Sequence, residues 1–434
     1  MNRKLSGTVL LSAYVCCPGR GSEPGYGWAY LLQYAKTFEK VIMVTSTVEE
    51  GYRQTIDKLR EMGIDNVRVE VVRLKGALDR LSRMPVGGIH LHYLLWLNAA
   101  TNAIQSLPDT PCFAHHLTFG NLQYGSPLYK VSCPFIFGPV GGGQKTNKVF
   151  YPLMGRKAML LERIRNMVTV LFYHFSPFFK GTIHNASLIY CCNEETRAEA
   201  RRFLPPSEQH KVKMMTDAAL DDRFLTDPVV RKKTAPRFSA LWVGRLLPRK
   251  GVEILLNIAK LLKEEDFQLT MIGDGPLRET TLSFIRDKGL EKTVNFLGWM
   301  DQQQILEYYR SSDLLLFLSY RDSTGVQIVE AFSQGVPVLS FDQFGAALVI
   351  DPARGIKVPL QDDLPALQQQ IADTIRDLIR HPEKIETMRT HAMTYAAGLT
   401  WDSKMATMMK DSKPFLKNIT YVLHANADLR LERV

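Results

Sequence analysis

No stretch of the 434-residue chain is apolar for long enough to read as a membrane-spanning helix, which takes about 18 residues or more. Also missing are a Cys-x-x-Cys pair and any histidine spacing of a zinc site. The six cysteines stand as the neighbours Cys16/Cys17 and Cys191/Cys192 and the single Cys112 and Cys133. They read as reduced, mostly buried thiols of a cytosolic protein. There is no internal repeat and no low-complexity tract, which excludes a solenoid and a largely disordered chain. No recognition helix, zinc pattern or RNA-binding aromatic signature occurs, so nucleic acid is not expected as a partner. In GYGWAY the third glycine of a dinucleotide fingerprint is absent, which counts against a nicotinamide enzyme. The start, MNRKLSGTVLLSAYVCC, imitates a signal peptide, but Ser12 and Tyr14 interrupt its apolar part and no small-residue cleavage site follows. It reads as a first β-strand.

What is present is the composition of a folded protein, with 45% hydrophobic and 23% charged residues, long enough for two large domains or three small ones. A formal charge of +10 and a pI near 9.2 point to an anionic partner, either a membrane surface or a phosphorylated small molecule once nucleic acid is set aside.

Apolar, β-branched runs alternate with helical patterns along the chain. TVLLSAYV, KVIMVT, VRVEVVRL, IHLHYL, PFIFG and SLIYCC read as buried strands of a first domain. Acidic, basic and proline-containing text near residues 216 to 236 marks a connection. A second series follows: ALWVGR, a helix from about Arg249 to Lys263, QLTMIGDG, a helix after Pro276, VNFLG, a helix through ILEYYRSS, LLLFLS, a helix near 326 to 334, and PVLSFD. The expected fold is therefore α/β, with two doubly wound Rossmann-like domains facing each other across a cleft. The boundaries expected are 1–220, 221–400, and a closing helix and tail over 401–434 that packs back on the first domain.

Several motifs sit at the carboxyl ends of these strands, where open parallel sheets bind ligands. VGRLLPRKG (243–251) places Arg245 and Lys250 to hold a bridging anion; as isolated residues they read equally as solvated charges. GDGP (273–276) puts Gly273 and Gly275 between a strand and a helix, as turn chemistry or as amides for a nucleotide. RDSTGVQIVE (321–330) leaves Asp322 after a strand, Gly325 where the backbone can approach a ligand, and Glu330 inside the next helix among Val329, Ala331 and Phe332, where a carboxylate needs a partner.

Taken together, VGRLLPRKG, MIGDGPL, FLGWM and RDSTGVQIVEAFSQGVPVLSFD resemble the nucleotide-sugar half of the retaining family 4 glycosyltransferases, which have the GT-B fold. GSEPGYGW, HHLTFG and FIFGPVGGG resemble a branch of that family associated with polysaccharide and cell-surface glycan assembly. The resemblance covers roughly residues 6 to 410, and Asp322 stands where Glu is more usual.

It implies transfer of a sugar from a nucleotide-diphosphate sugar to a glycan or lipid-linked glycan, with no metal and no cofactor beyond the donor. Arg245 and Lys250 would hold the diphosphate, Glu330 the ribose hydroxyls, and Asp322 the donor sugar, with His116 near that sugar. Gly25, Gly27, Gly244, Gly273, Gly275, Leu297, Thr324, Gly325 and Val326 would line the donor, and Gly141, Gly142 and Gly143 the acceptor. The other reading is a binding or scaffold protein on the same fold without turnover, which the aspartate at 322 keeps open.

Residues 156 to 181 interleave Arg156, Lys157, Arg163, Arg165 and Lys180 with Leu, Met, Val and Phe, and Glu162 is the single acid. Such a stretch lies on an anionic membrane at the cytoplasmic face or packs its apolar side on its own domain, and the sequence leaves both open.

Overall fold

The computed structural model describes residues 4–84, 87–220, 224, 237–416, 420–422 and 432–433. The chain forms two compact units: Met1–Gly143, Val168–Asp217 and Trp401–Val434 make the first, Gln144–Met167 and Ala218–Thr400 the second. Each is a Rossmann-like α/β domain, the pair that defines the GT-B class.

In the first unit the strands are β1 (Lys4–Ala13), β2 (Phe38–Thr45), β3 (Val67–Val71), β4 (Phe113–Thr118), β5 (Phe135–Val140), β6 (Leu188–Cys191) and β7 (Val212–Met214). They run parallel in the order β3-β2-β1-β4-β5-β6-β7. At its start β1 also pairs antiparallel with Thr420–Val422. β4, β5 and β6 are buried at every position, which is why they read as continuous apolar text rather than alternating.

One expected strand is a helix. IHLHYL belongs to the helix Gly88–Gln105, which buries Tyr93, Trp96, Leu97, Ala100, Thr101 and Ile104. A short apolar run has no decisive period; the longer window does, at three- and four-residue steps.

The second unit has, among the described residues, six parallel strands: β8 (Phe238–Val243), β9 (Phe267–Ile272), β10 (Val294–Gly298), β11 (Leu314–Phe317), β12 (Val338–Phe341) and β13 (Gly355–Val358). Their order is β10-β9-β8-β11-β12-β13. The chain moves one way from β8 to β10, then returns to place β11 on the other side of β8. The loops after β8 and β11 therefore diverge at a topological switch point. Helix Val252–Leu261 is pinned to this sheet by Val252, Ile254, Leu255, Leu256, Ile258 and Ala259. Burial of each larger aliphatic side chain contributes about 1.5–3 kcal/mol.

The units differ from the boundaries expected at residue 220. Residues 144–167 belong with the second unit because Val149, Phe150, Leu153 and Met154 join its core, and Phe150 stacks on Tyr320 with centroids 4.2 Å apart. Trp401–Val434 groups with the first unit. There Gln33 Nε2 donates to Asp402 Oδ1 (2.6 Å) and Tyr190 Oη to Asp411 Oδ2 (2.8 Å). Residues 221–223 and 225–236 of the expected connection lie outside the described residues, as does most of the chain after 416.

Candidate functional site

Lys250 does not lie in the helix expected from Arg249 onward. It closes the 3-10 turn Pro248–Lys250, and the helix starts only at Val252. The reason is Gly251, whose φ of +71° is left-handed and whose absent Cβ would lie 1.9 Å from the carbonyl oxygen of Leu318. This close approach stitches the loops after β8 and β11 together. Tyr320 N donates to Arg249 O (2.8 Å), and Arg249 Nη1 donates to Arg321 O (3.0 Å).

Across that seam Lys250 Nζ pairs with Asp322 Oδ2, and Arg249 Nη1 lies 3.7 Å from Asp322 Oδ1. Burial pushes the Asp322 carboxyl up, but Lys250 and Arg249, with the Ser323 amide, outweigh it and hold the group below its usual range. The Asp322 and Lys250 side chains are still 19% and 12% exposed, so solvent reaches the pair.

The Asp322 loop is held from behind. Gln144 Nε2 donates to Asp322 O (3.3 Å), and Arg321 Nε is 3.2 Å from Glu162 Oε1, which also accepts from Thr146 (2.9 Å) and Arg165 (2.8 Å). Burial, then repulsion from Arg165, lowers the Arg321 pKa to about 10.

Glu330 is buried in the helix Val326–Ser333, and both oxygens have partners. Gln302 Nε2 donates to Oε1 (2.9 Å) and Tyr309 Oη to Oε2 (3.0 Å). Both donors come from the helix Gln302–Ser311 after β10, whose start is fixed by a capping box between Asp301 and Gln304. Desolvation and then the Glu330 charge raise the Tyr309 pKa, so the phenol keeps the proton it donates. Neither Gln302 nor Tyr309 was singled out by sequence; they lie more than twenty residues upstream and only the fold brings them in.

Gly325 is a glycine for a packing reason. Its φ is +89°, and a Cβ there would lie 2.4 Å from the Phe317 ring, over which Lys250 Nζ also sits at 5.7 Å. Thr324 is fully buried, and its hydroxyl has no partner among the described residues. Val326 opens the helix, half-buried.

Gly244 and Gly273 extend the ladder past the strand ends, Gly244 N donating to Ile272 O (3.0 Å) and Gly273 N to Gly298 O (2.7 Å). Gly275 N is taken by Asp274 Oδ1 (2.7 Å). These amides thus serve the chain itself. The helix beyond them begins at Arg278, so Pro276 precedes its first turn. Leu297 is half-buried near the end of β10. Arg245 is exposed, two residues past β8, with no ion pair among the described residues.

The remaining expected residues are in the first unit. His116 lies inside β4, fully buried, with Nδ1 bonded to Ser12 Oγ (3.0 Å) and Nε2 to Tyr93 Oη (3.2 Å). Burial, and then repulsion from His115, lowers its pKa to about 3, so the ring is neutral. Gly25 and Gly27 lie within the helix Ser22–Thr37 and face Arg20 O and Val15 O. Gly141 is bridged to Asn121, Gly142 abuts Gln123 and Gly143 abuts Thr196. Among the described residues no cluster of His, Cys, Asp or Glu has the makings of a metal site.

Residues 227–394 match the model of the family described as Glycosyl transferases group 1. Curated relatives include alpha-D-kanosaminyltransferase of Streptomyces kanamyceticus, 27% identical over 49% of this chain and 56% of that protein. The amylovoran biosynthesis glycosyltransferase AmsK of Erwinia amylovora is 28% identical over 36% of this chain and 42% of its own. The chain thus spans about half the length of the curated relatives it matches, or less. Among solved structures, HepE of Anabaena in complex with UDP has a TM-score of 0.59 at 16% identity, covering 93% of this chain and 99% of that one. Sucrose-phosphate synthase of Thermosynechococcus elongatus has 0.64 at 17%, covering 94% and 99%. The stretch that holds Lys250, Asp322 and Glu330 is therefore the stretch that carries the group 1 glycosyl transferase model, on a GT-B fold.

Proposed function

We propose that the protein is a retaining glycosyltransferase that moves a sugar from a nucleotide-diphosphate sugar to a glycan or lipid-linked glycan in polysaccharide biosynthesis. The observation that carries this reading is the Lys250–Asp322 pair across the switch point of the second sheet, inside the matched family segment. In this reading the Lys250 ammonium, held by Asp322, binds the diphosphate, and Arg249 and Arg245 add charge beside it in the chain. Negative charge grows on the departing diphosphate as the glycosidic bond breaks, so these cations stabilise the transition state more than the ground state. Arg and Lys perform this neutralisation without a metal.

Glu330, oriented by its bonds from Gln302 and Tyr309, accepts hydrogen bonds from the ribose hydroxyls. Asp322 orients the donor sugar. With both acids on the donor no side chain is left as nucleophile, and the departing phosphate takes the acceptor's proton in a front-face displacement. HepE, solved with UDP and with UDP-glucose, supports a nucleotide-sugar donor, and the name of AmsK a polysaccharide product.

The test is to incubate the purified chain with a panel of nucleotide sugars, UDP-sugars first, and follow nucleoside diphosphate release and thermal shift. One donor is expected to stabilise the protein and be slowly hydrolysed. Stabilisation without release makes it a sugar-nucleotide-binding protein instead; neither effect with any donor removes the reading. Glu330→Ala is expected to raise KM about tenfold or more with a smaller change in kcat, the mark of an interaction made in the ground state.

A further inference from the structure

Beyond its break at Gly155, the helix Tyr151–Phe175 turns a row of apolar side chains outward, although Leu153, Met154 and Tyr173 pack inward. Toward the protein it presents Glu162, 5% exposed, with Thr169 and the half-buried Arg165. Toward solvent it presents Leu160, Leu161, Ile164, Met167, Val170, Leu171 and Phe175, the last 76% exposed and Met167 60%. Glu162, Thr169 and Tyr173 are buried and Arg165 half-buried, whereas exposure recurs at 160, 164, 167 and 171, so a three- and four-residue period separates the inner side from an outer apolar strip. Scattered exposed leucines need no explanation; a contiguous strip along one helix marks a surface that is covered in use.

Charge says by what. The basic residues on the solvent side are Arg156, Lys157 and Arg163, all exposed, while the helix's one acid faces inward. Arg165 is withdrawn from the surface, committed to Glu162 and to Gln144 O (2.9 Å). An exposed face of aliphatic and aromatic side chains with cations and no anion complements an anionic bilayer, into which the apolar side chains enter while Lys and Arg meet the headgroups. No helix among the described residues is long and apolar enough to cross a membrane. We infer that the face Leu160–Ile164–Met167, with Arg156, Lys157 and Arg163, docks the protein on an anionic lipid surface. This goes beyond the transfer reaction and is measured without any donor.

The full chain is sedimented with vesicles of phosphatidylcholine alone, and with vesicles in which part of it is replaced by phosphatidylglycerol. Binding is expected to the anionic vesicles and to weaken with salt. Neutralising Arg156, Lys157 and Arg163 to Gln should weaken it about a hundredfold, about fivefold for each cation near the surface. Leu160→Gln, Ile164→Gln and Met167→Gln together should abolish it while the melting temperature stays within a few degrees, since all three are exposed. Arg165→Gln should lower the melting temperature and leave the lipid partition of the folded protein unchanged. Absence of binding to anionic vesicles overturns the inference, as does binding that survives the apolar triple change. So does an apolar triple variant that converts a dimer to a monomer while vesicles are ignored; the face would then be a contact between copies.

Discussion

Both sheets follow the doubly wound order, yet they place their polar side chains at different depths. In the first unit His115 and His116 sit inside β4, sealed beneath Tyr34 and Tyr93 and held neutral, with pKa values lowered to about 3. In the second, Lys250 and Asp322 stand beyond the ends of β8 and β11, paired but still touched by solvent. A polar residue a few positions before a strand's end is sealed among its neighbours; the same kind of residue a few positions after it keeps contact with solvent. The first arrangement adds rigidity, and the proposed function assigns the chemistry to the second.

The sharpest way to break this contrast is to remove one member from each side. Lys250→Ala should lower turnover by about 100-fold or more while folding is retained, read as nucleoside diphosphate release by the hydrolysed donor. Unaltered turnover would strip the pair of its role. His116→Ala should instead cost about 3 kcal/mol of stability, from a cavity and two unpaired hydroxyls, with turnover per folded molecule kept. Chemical denaturation beside the same assay checks it, and lost turnover at full stability would move His116 to the chemical side.

A pH scan sharpens the comparison within the first unit. Burial lowers the Lys404 pKa to about 7 from an ordinary value near 10.5, while its ammonium donates to Thr216 O (2.5 Å). The unfolded chain then binds the proton more tightly than the folded one. Stability should rise with pH between about 7 and 10.5 and level off below, and Lys404→Met should flatten that rise. Melting temperatures across the range measure it. The smallest expected effect is at the support of Glu330: Asp301→Ala removes a helix cap and should cost about 1 kcal/mol, with a modest rise in KM.

Most of the second unit could be read from sequence because its strands are short apolar runs bounded by Gly, Pro and Asp, and its helices keep one period. Three features were hidden. IHLHYL reads as a strand until the window is widened to Gln105. Residues 144–167 look continuous with the first domain, and only the packing of Phe150 on Tyr320 assigns them. Of the site, Lys250, Asp322 and Glu330 were visible as motif residues, whereas Gln302, Tyr309 and Gln144 were not, since an amide or phenol far along the chain gives no sign of which carboxylate it meets. Arg249 was within reach, being next to Lys250 in PRKG.

The interleaving of the two units bears on how the chain is made. The first unit needs Asp402, Lys404 and Asp411 to complete its contacts with Gln33, Thr216, Tyr190 and Lys213. Those residues leave the ribosome after the last residue of the second unit, Thr400. The second unit is closed by residue 400 and can consolidate first. Vectorial synthesis usually finishes the amino-terminal domain early; here the domain begun first is sealed last, and a nascent chain halted near 400 would carry a finished second unit beside an open first one.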